Sequence, residues 1–160
     1  DGNGLLTAFD AGTGAILWSA AHAAPAASPT VGPDGVVYTG ARTLLALQPT
    51  GGHALWEANF DELARRLLPT LDPQAAPILV SGQPIASVDS VISVAADRLW
   101  AALTLGYELR FPGSAQPILQ PHLTAVAAID PRDGRLQSYA FLRDTVDGII
   151  SLDADGSLYV

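Results

Sequence analysis

The chain has 160 residues, enough for one domain with its own core, and 49% apolar against 15% charged residues excludes a disordered chain. Sixteen acids oppose eight arginines with no lysine, a net charge of −8, so no basic stripe exists for a phosphate backbone and no nucleic-acid partner is expected. The absence of cysteine removes disulfides, thiolate catalysis and cysteine metal sites, and no apolar run approaches the ~20 residues of a membrane helix, so no membrane span is expected.

The first predicted element is a strand from Leu5 to Asp10 with a return from Ala15 to Ser19. Between them Ala11-Gly12-Thr13-Gly14 makes a tight turn. Asp10 can bond the backbone two residues on, and Gly14 tolerates a positive φ where the return begins. A second kind of hairpin follows over Ser28–Thr39, turned by Pro33-Asp34-Gly35 between β-formers. The opening phrase then returns: Ala8-Phe9-Asp10 through Gly14 to Trp18 becomes Ala46-Leu47-Gln48 through Gly52 to Trp56, every position displaced by 38 residues.

Asp61–Leu68 reads as a short helix, capped by Asp61, with Leu63, Leu67 and Leu68 on one side and Pro69 as its stop. Pro73, Pro77 and Pro84 then mark an irregular passage around Ile78-Leu79-Val80. Helix and passage together are expected to be a surface excursion packed by its own leucines. Ile92–Ala101 repeats the second hairpin without its turn glycine. Leu103–Gly113 reads as strand-turn-strand, with Tyr107, Leu109 and Phe111 on one face. Gln116–His122 carries Pro117 and Pro121, which suits a loop or an edge strand. A third copy of the opening phrase runs through Asp130 and Gly134, with Ser138 where the tryptophans stood. The second hairpin returns last over Ile150–Val160, turned by Asp155-Gly156.

A period near 40 residues made of short strands and glycine turns is the signature of β-propeller blades. The expected fold is all-β: a partial propeller of about three four-stranded antiparallel blades with one short helical insertion. One domain spans 1–160, with repeat units roughly 5–42, 43–104 and 123–160 and insertions near 59–89 and 106–122. The chain opens without methionine and closes inside a strand pattern, so it is read as truncated at both ends.

The phrase Ala-Phe-Asp-x-x-Thr-Gly-x-x-x-Trp, followed by Ser-Pro-x-x-x-x-Asp-Gly-x-x-Tyr, resembles the pyrroloquinoline-quinone-like, tryptophan-docking propeller repeat. That family includes quinoprotein dehydrogenases and the propeller lipoprotein of outer-membrane-protein assembly. The resemblance implies that Trp18 and Trp56 lie flat between blades near a neighbour's Thr-Gly turn, with Gly14 and Gly52 as turn glycines. The expected structural motif is Asp10, Gly14, Trp18, Gly52, Trp56, Asp130 and Gly134, with the hairpin residues Asp34, Gly35, Asp155 and Gly156. The resemblance further implies a scaffold that binds other proteins in the bacterial envelope, periplasmic or extracellular, alongside the remaining blades of its own chain. The alternative it implies is part of a dehydrogenase binding pyrroloquinoline quinone (PQQ) and calcium in blades outside this stretch.

The residues themselves carry little chemistry. His22, His53 and His122 occupy different repeat positions, whereas a metal site needs convergence. No Gly-x-Ser-x-Gly elbow anchors Ser28 or Ser90 as a nucleophile. Gly12-Thr13-Gly14 lacks the strand–loop–helix context of a phosphate loop. Asp153-Ala154-Asp155-Gly156 is explained by its turn rather than by calcium. Tyr38, Trp100 and Tyr159 recur at equivalent hairpin positions and read as packing. No catalytic, cofactor or metal residue is assigned.

Overall fold

Strand pairing follows the two hairpin types along the chain. The computed structural model describes residues 4–21, 28–71, 82–88, 91–95, 97–109, 118–142, 150–153 and 157–159. β1 (Leu5–Phe9) and β2 (Ile16–Ala21) form a two-stranded antiparallel sheet. β3 (Thr30–Val31), β4 (Val37–Gly40), β5 (Leu44–Leu47) and β6 (Ala54–Ala58) form a four-stranded antiparallel meander. After helix α1 (Asp61–Leu71) comes a five-stranded sheet. Its members are β7 (Gln83–Val88), β8 (Ser93–Ala95), β9 (Arg98–Leu109), β10 (Ile118–Ile129) and β11 (Leu136–Leu142). β12 (Ser151–Leu152) pairs with β13 (Leu158–Tyr159).

The fold class is all-β with antiparallel blades and one helix. The sheets do not coincide with the sequence repeats. In each larger sheet the second kind of hairpin supplies two strands, β3–β4 and β8–β9, and the next copy of the opening phrase supplies the last two, while β7 is added from the passage before. A unit cut at 5–42 therefore straddles two sheets. The described residues hold one sheet of four strands, one of five and two two-stranded hairpins.

In the first insertion α1 and β7 contribute to the main core, which corrects the expectation of a surface excursion packed by its own leucines for these described residues. β9 and β10 are 12 residues each and pair from Ile118↔Leu109 to Ile129↔Leu99, so the stretch near 106–122 lengthens a hairpin. β7 pairs with the far half of β9 and β8 with its near half. Among the described residues Pro121 falls where β10 has no partner on its other side, since pairing to β11 begins at Thr124, and a register shift follows it. Proline cannot donate to a ladder and is confined to such edges. Pro84 obeys the same rule on edge strand β7.

The helix also departs from expectation. It continues two residues beyond Pro69 to Leu71. Asp61 does not cap it. The Phe60 carbonyl accepts the first helical bonds, from Leu63 and Ala64, and Asn59 Oδ1 accepts from the Asp61 N–H at 2.8 Å. Leu63, Ala64 and Leu68 are buried in the main core beside Ala86, Val88, Leu103 and Leu105. A helix of eleven residues gains its stability from this apolar face rather than from propensity.

The core lies between the sheets. β5 is buried along its whole length, and so is Ala101–Tyr107 of β9. Strands covered on both faces read as continuous apolar runs, which is how Leu44-Leu45-Ala46-Leu47 is written. β6 and β11, with one side toward solvent, are largely exposed.

Candidate functional site

The first and third copies of the phrase build the same turn, and the second shares its closing backbone bond. In the first, the Asp10 N–H donates to Ala15 O at 2.8 Å and the Gly14 N–H to Asp10 O at 2.8 Å. Asp10 Oδ1 accepts from the Thr13 hydroxyl and N–H, both at 2.7 Å, and from the Gly12 N–H at 3.1 Å. The Thr13 hydroxyl, then the backbone of Thr13 and Gly12, hold the Asp10 carboxyl below its ordinary range. In the third copy Asp130 takes Arg132 bidentately at 2.6 and 2.9 Å, plus the Arg132 N–H. Those bonds hold the Asp130 carboxyl well below the usual carboxylate range. The second copy, with Gln48 at that position, keeps only the backbone bond from Gln48 N–H to His53 O at 2.8 Å.

Two of the three turn glycines, Gly52 and Gly134, meet the tryptophan of the preceding sheet. A Cβ on Gly52 would stand 2.6 Å from the six-membered ring of Trp18, and one on Gly134 would stand 2.7 Å from that of Trp56. Trp18 Nε1 donates to Pro49 O at 2.8 Å, and Trp56 Nε1 to Pro131 O at 2.9 Å. Pro49 and Pro131 hold the same place in their copies. That shared proline is the sequence signal that marks the acceptor of each indole N–H. Gly14, by contrast, meets nothing within 4 Å. Asp34 and Gly35 form the β3–β4 turn, where Gly35 has φ 84° and Asp34 Oδ1 accepts from the Val36 N–H. Asp155 and Gly156 lie outside the described residues, as do His22, Ser90 and Ile78-Leu79-Val80.

Ser138, the counterpart of the tryptophans, is exposed. The seam toward β12 is sealed instead by Ala102, Val126 and Ile150, with the Ser93 hydroxyl bonded to Ile150 O.

Two clefts open between the larger sheets. One, of about 450 Å³, is lined by Asp34, Tyr38, Trp56, Val94, Pro131 and Arg132. Burial, then the charge of Asp34, raises the Tyr38 phenol above its ordinary value. The other, of about 330 Å³, lies between α1 and the β10–β11 turn and is lined by Phe60, Leu63, Arg66, Arg135 and Leu136 among others. Arg66 donates to Tyr139 Oη at 3.2 Å.

Asp61, expected as a cap, instead receives Arg42 at 2.6 and 2.9 Å and the Ala86 N–H at 2.9 Å, tying α1 to β7. Nothing in the sequence pairs Arg42 with it across nineteen residues. His53 is exposed, and His122 packs edge-on to the Tyr107 ring at 5.3 Å. Among the described residues no three His, Asp or Glu side chains gather where a metal could sit. Asp10, Asp61 and Asp130 are each committed to backbone N–H groups or arginine. No helix among the described residues is long and apolar enough to cross a membrane.

Comparison with known proteins gives a family match over most of the chain. Residues 2–143 match the family model described as outer membrane protein assembly factor BamB. No curated protein matches. Among solved structures, the crystal structure of BamB from Moraxella catarrhalis matches at 12% identity and a TM-score of 0.41, over 85% of this chain and 43% of that one. The chain thus spans less than half the length of that protein. The turn-and-tryptophan repeats and the match over residues 2–143 together place this chain in the BamB family of pyrroloquinoline-quinone-like repeat proteins.

Proposed function

We propose that this chain is part of a non-catalytic propeller scaffold that binds other proteins in the bacterial cell envelope. The observation that carries the reading is the family match, whose description is an assembly factor of the outer membrane. The geometry supports it in a second way. The polar groups of the repeats serve turns and seams: carboxylates hold backbone amides, and indole N–H groups hold turn carbonyls. The blades are thereby fixed as a rigid platform, and loops and strand edges are left as the surfaces for contact. Its place is the periplasmic side of the envelope, and it works without a bound quinone.

The test is affinity capture with the full-length protein from an envelope extract, in parallel with titration of PQQ and calcium. Specific retention of envelope proteins without a bound-quinone absorbance is expected. Quinone-dependent turnover with no protein retained would reverse the assignment.

A further inference from the structure

We infer that the free edge of β11, with Arg66 and Tyr139 beside it, is a docking strip for an extended acidic segment of a partner protein; this rests on the scaffold reading and gives it a place. β11 runs seven residues and, among the described residues, pairs with β10 alone. No strand of the described residues pairs with the N–H and C=O groups of its other side. Proteins normally blunt such an edge with lysine, proline, an inward charge or a bulge. Leu136-Gln137-Ser138-Tyr139-Ala140-Phe141-Leu142 has no charge and no proline, and its register to β10 is unbroken from Ser138 to Leu142. An edge left this open suits strand addition, in which the main chain supplies affinity and alternate side chains supply specificity.

The side chains beside the edge state the specificity. Tyr139 and Phe141 lie ring to ring at 5.2 Å and are 36% and 37% exposed. Arg66 of α1 reaches over Tyr139, its guanidinium carbon 6.0 Å from the ring centre. The neighbouring arginines are neutralised, Arg65 by Glu62, Arg132 by Asp130 and Arg135 by Asp133. Among the described residues Arg66 meets no carboxylate, in a chain of net charge −8. The Tyr139 oxygen accepts from Arg66, which leaves its own O–H proton to donate. A carboxylate set over the pair would accept from both, the geometry that makes charge-assisted hydrogen bonds strong. The adjoining cleft, with Phe60, Leu63 and Leu136 as its apolar part, receives the segment's end. The occupant is therefore an extended strand with alternating apolar residues and one Asp or Glu.

The experiment uses the full-length protein, 15N-labelled, and a blocked heptapeptide Thr-Val-Glu-Val-Thr-Val-Thr, with Gln and Lys versions at the Glu position. Amide shifts are expected along 136–142 and in α1, with the Glu peptide bound about tenfold more tightly than the Gln peptide. Arg66→Glu should reverse the order so that the Lys peptide binds best, and Tyr139→Phe should weaken only the Glu peptide. Equal affinity for all three peptides, shifts elsewhere on the molecule, or an order unchanged by Arg66→Glu overturns the strip. So does a concentration-dependent dimer that protects the same amides, because the edge would then serve a second copy. Envelope-protein capture that survives Arg66→Glu overturns the strip and leaves the scaffold reading standing. No capture at all, with the peptide pattern intact, sinks the scaffold reading and spares the strip.

Discussion

Three glycines share one backbone conformation and differ in what covers them. Gly14, Gly52 and Gly134 have φ of 72°, 65° and 73°. An alanine at any of them bears the left-handed cost of roughly 1–2 kcal/mol. At Gly14 nothing else opposes it, but at Gly52 and Gly134 the new Cβ enters an indole ring. Overpacking of that kind adds about 1–3 kcal/mol. Gly134→Ala should therefore lower the urea midpoint clearly more than Gly14→Ala, and equal shifts would show that the ring yields freely. The turn itself was legible, because an acid and a glycine four residues apart have a mechanical reason to be there. Which tryptophan covers which glycine was not, since Trp18 meets Gly52 and not Gly14. That pairing depends on how one sheet stacks on the next.

Asp130 makes a second prediction at this scale. Its folded carboxyl lies well below the ordinary value of 3.8, chiefly through the Arg132 hydrogen bonds. A depressed carboxyl contributes stability above its unfolded value and loses it as pH falls through the folded one. Stability from this turn should hold at neutral pH and begin to fall below about pH 4. Asp130→Asn should flatten that acid limb in a series of unfolding midpoints against pH. A variant with the same acid slope as the parent would show that Asp130 contributes none of it. Arg132 is largely exposed, so salt is expected to weaken the effect.

At the scale of the element, α1 is where local rules and tertiary demands part. Its apolar side was readable from the spacing of Leu63, Leu67 and Leu68. The role of Asp61 was not, because a helix-start acid looks the same whether it caps or reaches outward. The carboxylate is 15% exposed and satisfies both Arg42 and the Ala86 amide. Removing one partner of a buried pair strands the other and typically costs 3–5 kcal/mol. Arg42 is 40% exposed and retains the Ala86 carbonyl at 2.8 Å, so solvent screening reduces this. Asp61→Ala should cost about 2 kcal/mol, and Glu62→Ala, one residue along and open to water, within about 0.5. Comparable losses from both would mean that the acids act only through the helix N-terminus. The β9–β10 extension was half legible. Alternation at Tyr107 and Leu109 signalled a strand, while Pro121 argued for a loop or an edge, and the edge is what β10 offers there.

At the scale of the whole molecule, stacking decides what is covered. Between the four- and five-stranded sheets, Trp56, Tyr38, Leu44 of β5 and Leu99, Leu103 and Leu105 of β9 close a continuous core. The β1–β2 hairpin has no such cover on its outer side. Leu5, Phe9, Ile16 and Leu17 are each more than half exposed, and all four lie on two paired strands. Single exposed apolar residues are ordinary, but a contiguous group marks an association surface. A polypeptide of residues 1–160 should therefore self-associate through this hairpin, with a sedimentation coefficient that rises with concentration. Phe9→Lys with Ile16→Lys should suppress the rise, since two ammonium groups cannot be desolvated in an apolar contact without a large cost. Phe141→Lys, on the far sheet, should leave it unchanged. If the β11 variant suppresses association and the β1–β2 variant does not, the exposed hairpin is not the sticky surface and the free strand edge is. A monodisperse monomer over the whole concentration range would instead show that these four side chains are too few to drive association.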